Sequence, residues 1–509
     1  MKRSIAWSSL LVGLATAAGS CPDYLDYSKE RHEPYSTGRF KLSYQRPDPA
    51  CRTFNSSDVE AVIKRMEQVI KDPDLYRLFQ NTYPNTLDTA IKWKGVSADN
   101  KDEELTFVIT GDINAMWLRD SSNQMQSYLP VLKADTSRDS IASLYRGVIN
   151  LQARYLLASP YCNSFQAPAE SKIPAAENEA AADDQVTPPY SNATVFECKY
   201  ELDSLAAFLE VSANYYSGTN DLDFFGKFQW LSAVRAVLDV AKAMQTPTYG
   251  SDGKVLSSPY KFTRQTTRST ETFANDGLGS PVGSGTGLIR SGFRPSDDST
   301  IFQLFIPANM MFTRYLELTA EIVAKLGHKA PSGLAREMKD LAKSLRKSIS
   351  KYGIVPVAEV ASTESGEYKR AEAGNHFETV YAFEVDGFGS SVIMDDANIP
   401  SLLSAPFFGY LDIGNAVYQR TRRRILDDAG KEANYNPYFM RGPAIDAVGG
   451  PHQGPGKAWP MASIVRILTS DDVVEITKTL GQIVGSTDGL GLIHESINSF
   501  NQSDWTRQW

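Results

Sequence analysis

Two adjacent aspartates, Asp297 and Asp298, lie in the stretch SGFRPSDDSTIF at 291–302, where the pattern otherwise reads as a turn leading into a helix. Ser296, Asp297 or Asp298 could each cap the free amides of a first helical turn and complement its dipole. Capping does not account for the company they keep. TGDINAMWLRDSSNQ at 110–124 gathers Asp112, Trp117, Arg119 and Asp120 at one turn-to-helix junction, and FECKYELDS at 196–204 gathers Glu197, Lys199, Glu201 and Asp203 ahead of an apolar helix. FEVDGFGSSVIMDDANIP brings Glu384 and Asp386, GPHQGPGKAWP brings His452, Lys457 and Trp459, and LIHESIN brings His494 and Glu495. Six such junctions, spaced between helices that read as core, predict polar side chains converging on one pocket at one end of a helical scaffold.

The residue types narrow the chemistry. The five histidines, at 32, 328, 376, 452 and 494, are scattered, and no HExxH or CxxC spacing occurs, so no dedicated metal centre is expected and only a carboxylate-bound calcium stays open. No GxSxG elbow marks an acyl-transfer nucleophile, and GPHQGPG lacks the lysine-hydroxyl ending and the preceding strand of a phosphate loop. What fits is carboxylate chemistry beside aromatic platforms, the equipment for sugars: Asp and Glu act as acid and base at a glycosidic bond while aromatic faces stack on pyranose rings. The 7 Trp and 24 Tyr are compatible with this, although aromatic rings fill cores equally well.

The elements that must position these residues are helical. SSDVEAVIKRMEQVIKD opens with Ser57 and Glu60 in capping-box spacing, and Val62, Met66, Val69 and Ile70 then recur on one face. Comparable patterns predict helices near 115–131, 139–158, 201–216, 222–245, 301–327, 332–350, 411–426, 457–469 and 472–485, with a shorter one from about Asp396. They arrive in sequence pairs rather than alternating with strands, which disfavours a doubly wound or TIM-type fold. Extended segments are few: 104–112, part of 254–290, and 379–387. The run 167–189, rich in Ala, Pro and acid, reads as an exposed loop or insertion, and no stretch reads as a linker between independent domains.

The motifs GDINAMWLRDS, FECKYELDS, SGFRPSDDS, FEVDGFG, GPHQGPGKAWPM and GLIHESIN, in this order, resemble glycoside hydrolase family 125 from about Asp58 to the last residue. The resemblance implies an all-α six-hairpin (α/α) toroid with long decorated loops and minor β segments. It implies exo-acting α-1,6-mannosidase activity on mannose-containing glycans, with inversion and without a catalytic metal or other cofactor. It places the general acid in the RPSDD motif and the base in the HES motif, so Glu495 is the expected base and Asp298 the expected acid, with Asp297 open as the alternative. The neighbouring aspartate would cap a helix or raise the donor by like-charge repulsion. Arg119 and Asp120 have the donor and acceptor character to fix sugar hydroxyls, and Asp203, Arg294, Asp386, His452 and His494 are further candidates for substrate contact. Each could instead be a supporting ion pair or cap, and Trp117 and Trp459 could be core or platform. The family pattern also implies a further amphipathic helix beyond NQSDWTRQW, without which apolar surface is expected to be exposed. Two other readings stay open: a glucoamylase-like α-glycosidase on the same toroid, which would release glucose from maltose, and a secreted glycan-binding protein that binds without turnover.

Composition bounds these readings. A chain of 509 residues, 42% hydrophobic, can bury a large core, and its net charge of −8 without a basic block argues against nucleic acid as partner. RTRRR at 420–424 lies beside Asp427 and Asp428 and reads as a solvated helix face. Lys2 and Arg3 precede an apolar run from Ile5 to about Ala15 and then small residues, so residues 1–20 are expected to be a signal peptide, with an uncleaved anchor as the alternative. No later stretch reaches transmembrane length, and no stable membrane association is expected. Four cysteines and sequons at Asn55, Asn192 and Asn501 fit the secretory pathway. Of the three pairings open to the cysteines, Cys21 with Cys51 and Cys162 with Cys198 is the one expected. The mature chain, 21–509, is expected to form one toroidal catalytic domain.

Overall fold

The computed structural model describes residues 21–358, 360–362, 368–370, 377–426 and 436–508. The expected targeting segment, His376, Asp427, Asp428 and Trp509 lie outside the described residues. Helices come in consecutive pairs: α1 (Ser57–Val69) with α2 (Pro73–Thr82), α3 (Leu118–Gln126) with α4 (Ile141–Ala158), α5 (Leu202–Thr219) with α6 (Trp230–Ala243), and α7 (Ile306–Leu326) with α8 (Leu334–Tyr352). A run of turns over 402–409 stands where the partner of α9 (Ala416–Leu426) would be, and α10 (Pro460–Leu468) pairs with α11 (Val473–Gly485).

Burial sorts these helices into two layers. Every residue of α5 from Leu202 to Ala213 is buried, as in an inner helix enclosed by protein on all sides. On α8 only Leu334, Met338, Leu341, Ala342, Leu345, Ser348 and Ile349 are buried, a single stripe facing inward, so α8 is an outer helix. α3, α5 and α7 pack side by side, α8 backs α7, and α4 contacts α6. α11 meets α2, where Leu42, Leu78, Ile483 and Val484 form an apolar cluster, so the last helical pair touches the first. This is the all-α toroid of helical hairpins that the motifs implied, carrying long loops and short strand pairs.

Several details differ from the sequence reading. Ser56, not Ser57, caps α1, its side chain accepting the Val59 amide, and the Glu60 carboxylate goes instead to Arg46 and Arg52. α2 was not expected, although Asp72 accepts the amides of Asp74 and Leu75 and Pro73 fills a first-turn position that needs no amide donor. The helix expected from Asp396 is absent: Asp395 accepts the amides of Leu402 and Leu403 and organises turns there. The run 222–245 is broken, a single turn at Leu222–Phe225 preceding α6. Arg422 pairs with Glu475, and Arg423 and Arg424 with Glu378, so the basic run is neutralised by partners outside its own helix.

Both expected disulfides, Cys21–Cys51 and Cys162–Cys198, are formed. The second joins the segment after α4 to the segment before α5 and encloses the run 167–189. That run is half-buried and exposed by turns, and Gln185–Thr187 within it pairs with Lys261–Thr263. Arg264 anchors it, donating to Asp184 at 2.8 and 2.7 Å and to Glu197 at 2.7 Å. Near the other terminus, the strand Ser496–Asn498 pairs on one side with Lys457–Ala458 and on the other with Asn501–Thr506. This three-stranded patch carries the HES motif into the ring. Among the described residues no helix is long and apolar enough to cross a membrane.

Candidate active site

The ends of α2, α3 and α10 frame a cavity of about 500 Å³, and five of the six polar junctions singled out in the sequence contribute residues to its wall, while FECKYELDS contributes none. Backbone bonds bring the motifs together. The amides of Gly292 and Phe293 both donate to the Tyr200 carbonyl, at 3.1 and 3.0 Å, and the Leu202 amide donates to Ser291 Oγ at 3.0 Å. Gly292 is needed there, because a Cβ would fall 2.6 Å from the Phe273 ring and 3.2 Å from the Tyr200 carbonyl oxygen. Arg119 Nη2 donates to the Pro295 carbonyl at 2.7 Å, which ties the start of α3 to the same turn.

That turn divides the two aspartates. The Arg294 amide donates to the Asp298 carbonyl at 2.8 Å and the Asp297 amide to the Arg294 carbonyl at 2.9 Å, with Asp297 in the left-handed region at φ 70°. Aspartate tolerates this conformation better than most side chains. As a result Asp297 lines the cavity, while Asp298 is 1% exposed and does not. Asp298 Oδ2 accepts from Ser296 Oγ at 3.1 Å, and its Oδ1 lies 3.8 Å from His452 Nδ1. Neither aspartate caps a helix, since α7 begins later, at Ile306, after an N-cap without a side-chain bond.

The other expected contacts separate in the same way. Arg119, Asp120, His452 and His494 line the cavity together with Glu495, Trp117 and Trp459. Asp203, Arg294 and Asp386 do not line it. Asp203 is fully buried behind Arg119, whose Nε is 3.1 Å from Asp203 Oδ2 and whose Nη1 is 3.2 Å from Asp120 Oδ2. Arg294 donates through Nε to Glu384 Oε1 at 2.7 Å, and Glu384 Oε2 accepts the amides of Ile301 and Phe302 at 2.9 Å each. Asp386 Oδ1 accepts the amides of Phe388, Gly389 and Ser390 and so closes its own loop. These three carboxylate and guanidinium groups hold the wall in place rather than face a ligand.

Charge in the pocket is unevenly compensated. Burial pushes the Asp297 carboxyl up, but the charges of Lys199, His452, Arg119 and Arg507 together hold it below the usual carboxylate range. Burial pushes His452 down, yet the nearby Asp298 carboxylate and the charges of Asp297 and Glu495 outweigh this and raise it. Behind the wall, burial drives Asp203 up to about 7 against the opposing charge of Arg119. Among the described residues no group of three or more His, Cys, Asp or Glu side chains is placed to hold a metal ion.

Residues 72–509 match the profile of the family described as metal-independent alpha-mannosidase, glycoside hydrolase family 125. The chain belongs to this family. It is 42% identical over 491 residues to the Meiotically up-regulated gene 157 protein of Schizosaccharomyces pombe, covering 96% of this chain and 90% of that protein. A metal-independent α-mannosidase of Streptococcus pneumoniae, solved as a non-productive substrate complex with α-1,6-mannobiose, superimposes with a TM-score of 0.73 at 31% identity, covering 90% of this chain and 95% of that one. The protein is therefore a glycoside hydrolase of the α-mannosidase class.

This family 125 α-mannosidase also recruits residues that the sequence reading left out of the site. Arg507 enters the cavity from the end of the C-terminal hairpin, its Nη1 donating to Glu495 Oε1 at 2.8 Å and its Nε to Asp112 Oδ2 at 2.7 Å. Leu25, Asn123 and Gln124 complete parts of the wall. Asp112 stood in one of the polar junctions and could have been chosen on that ground. Arg507 offered no such signal, because its partners lie 12 and 395 positions away.

Proposed function

We propose that the protein is an exo-acting α-1,6-mannosidase that hydrolyses terminal mannose with inversion, using Asp297 as general acid and Glu495 as general base. The observation that carries this reading is the shared exposure of these two carboxylates to one cavity, while Asp298 is enclosed by protein. In the reaction Asp297, raised towards its protonated form as a bound sugar displaces water from around it, passes its proton to the glycosidic oxygen as the bond to the anomeric carbon breaks. Glu495 takes a proton from a water that attacks that carbon from the opposite face, and β-mannose leaves. Arg119, Asp120 and His452 offer the donors and acceptors that fix sugar hydroxyls, and Trp117 and Trp459 offer aromatic walls.

The linkage is supported by the α-1,6-mannobiose complex of the pneumococcal relative, and the exo mode by a cavity whose volume suits a chain end better than the middle of a long glycan. Two disulfides and sequons at Asn55, Asn192 and Asn501, all exposed, support passage through the secretory pathway, with residues 21–509 acting as one catalytic unit. The test is incubation with α-1,6-mannobiose beside its α-1,2 and α-1,3 isomers. Proton NMR of the first turnovers, before mutarotation, should show β-mannose from the α-1,6 isomer alone. Initial α-mannose would overturn the inverting mechanism, equal turnover of all three isomers the linkage, and glucose release from maltose would favour a glucoamylase-like enzyme instead.

A further inference from the structure

The guanidinium of Arg507 lies between the carboxylates of Glu495 and Asp112, and the residues on both sides of it are tied to the residues on both sides of Glu495. Thr506 Oγ1 and Ser496 Oγ share a hydrogen bond of 2.7 Å. His494 Nδ1 donates to the Gln508 carbonyl at 3.0 Å, and the His494 ring stacks on Trp505 at 4.4 Å with an interplanar angle of 2°. Gln508 Nε2 donates in turn to the Leu25 carbonyl at 2.9 Å. Arg507 itself adopts φ 49°, a left-handed conformation that an arginine takes only when its surroundings impose it. A side chain needed only to latch the hairpin would not require this, because the flanking residues already hold the two segments together.

We propose that Arg507 is a positioning residue for hydrolysis: it occupies Glu495 Oε1, so that Oε2 is the oxygen left to receive the proton of the attacking water, and Asp112 fixes the far side of the guanidinium. The proposal rests on Glu495 being the base. The proton moves from water to Glu495 Oε2 as the water oxygen bonds to the anomeric carbon, and the electron pair of the broken bond leaves with the glycosidic oxygen, which Asp297 protonates. Arg507 exchanges no proton. It restricts the carboxylate to one orientation, and small errors of position at a reacting group cost on the order of 10²-fold in rate.

The test compares R507A, R507K, D112N and E495Q for hydrolysis of α-1,6-mannobiose, with melting temperature measured on each. R507A should lower kcat on the order of 10²-fold with KM little changed, and guanidinium chloride at sub-denaturing concentration should restore part of the loss. R507K, which keeps a cation but loses the planar fork, should lie between R507A and wild type, and D112N should lose less than R507A. Wild-type kcat in R507A, or a loss without rescue that follows the melting temperature, would overturn the proposal. Should R507A not fold, a kcat of R507K equal to wild type would overturn it equally. Activity in E495Q would instead overturn the assignment of the base, whatever the Arg507 variants do.

Discussion

Replacing Asp297 and Asp298 by asparagine, one at a time, separates the roles that a single turn assigns to them. Asparagine keeps the size of aspartate and tolerates the left-handed backbone at φ 70°, so Asp297→Asn should fold normally. It removes the proposed proton donor from the cavity. General acid catalysis is worth about 10²–10⁴-fold, which at about 1.36 kcal/mol per factor of ten is a barrier increase of about 2.7–5.4 kcal/mol. Asp298→Asn removes a charge that is 1% exposed, bonded to Ser296 and 3.8 Å from His452. Its cost should appear mainly as stability, about 1–3 kcal/mol for disturbing a buried polar partner, with a smaller effect on the chemical step.

The assay that tells the two apart varies the leaving group. A sugar leaving group needs protonation, whereas the phenolate of a nitro-substituted aryl α-mannoside does not. Asp297→Asn should therefore lose most of its activity on mannobiose and recover much of it on the activated aryl mannoside. Asp298→Asn should be reduced by a similar factor on both substrates, and Glu495→Gln should fail on both because water still requires a base. If Asp298→Asn shows the selective recovery and Asp297→Asn does not, the orientation of the turn is misread and the acid is Asp298.

Further outcomes follow from the buried charges. Because His452 is raised above its ordinary value, its contribution to stability is complete below about pH 6.5 and is lost as pH rises through the raised value, so the melting temperature of wild type should fall relative to His452→Gln over that window. Glu210, buried in α5 with Oε1 accepting from Tyr315 at 2.6 Å, is pushed up to about 7 by burial; a raised carboxyl costs stability as pH climbs above its unfolded value, so Glu210→Gln should raise the melting temperature at pH above about 7 and leave it nearly unchanged near pH 4. Arg294→Met should cost about 3–5 kcal/mol in chemical denaturation, because Glu384 would stay buried without its cation, leaving only the amides of Ile301 and Phe302 to meet it. Against its burial, the charges of Lys199, His452, Arg119 and Arg507 hold Asp297 below the carboxylate range, and a bound sugar displaces water; the alkaline limb of kcat should therefore lie at higher pH than that of kcat/KM, and coincident limbs would show that substrate does not shift the donor.

Part of the lining was legible in the sequence because some of its residues stand where helices begin, Arg119 and Asp120 on the first turn of α3 and Trp459 just ahead of α10, and the helices themselves announced their pairing through apolar spacing. What was not legible depended on single backbone states or on distant partners. Which of two adjacent aspartates faces the cavity follows from one positive φ at Asp297, and residue type does not encode that choice. Arg294 is a candidate sugar contact by residue type, equally open to a supporting ion pair, and Glu384, 90 positions away, takes it into the wall. Asp386 was read as a ligand group although its side chain closes its own glycine-rich loop. At α1 both Ser56 and Ser57 could cap, and the choice fell to the one whose oxygen reaches the Val59 amide. α2 carries its start signal in Asp72 and Pro73, close behind the end of α1 at Val69.

Unmet polar atoms on the lining give the pocket a preference of its own. Several charged residues outside the lining are bonded to protein, Arg294 to Glu384, Asp386 to its loop amides, Arg264 to Asp184 and Glu197, but buried polar atoms without a hydrogen-bond partner among the described residues occur there too, among them Glu210 Oε2, Arg290 Nε and Arg294 Nη2. Residues that line the cavity also carry polar atoms shielded from solvent without a hydrogen-bond partner among the described residues, and these are the ones beside the space a ligand would fill: Thr110 Oγ1, Gln124 Oε1, Asp297 Oδ1 and Trp459 Nε1. Leaving such atoms unmet costs about 1–3 kcal/mol each, and folding alone recovers none of it. A polyhydroxylated ligand can meet donors and acceptors in the same small space, whereas an apolar ligand of equal size would leave every one of them unmet. The wall is thus rigid where it is paired and demanding where it is not, which favours a sugar over a hydrocarbon before any single hydroxyl has been assigned to a partner.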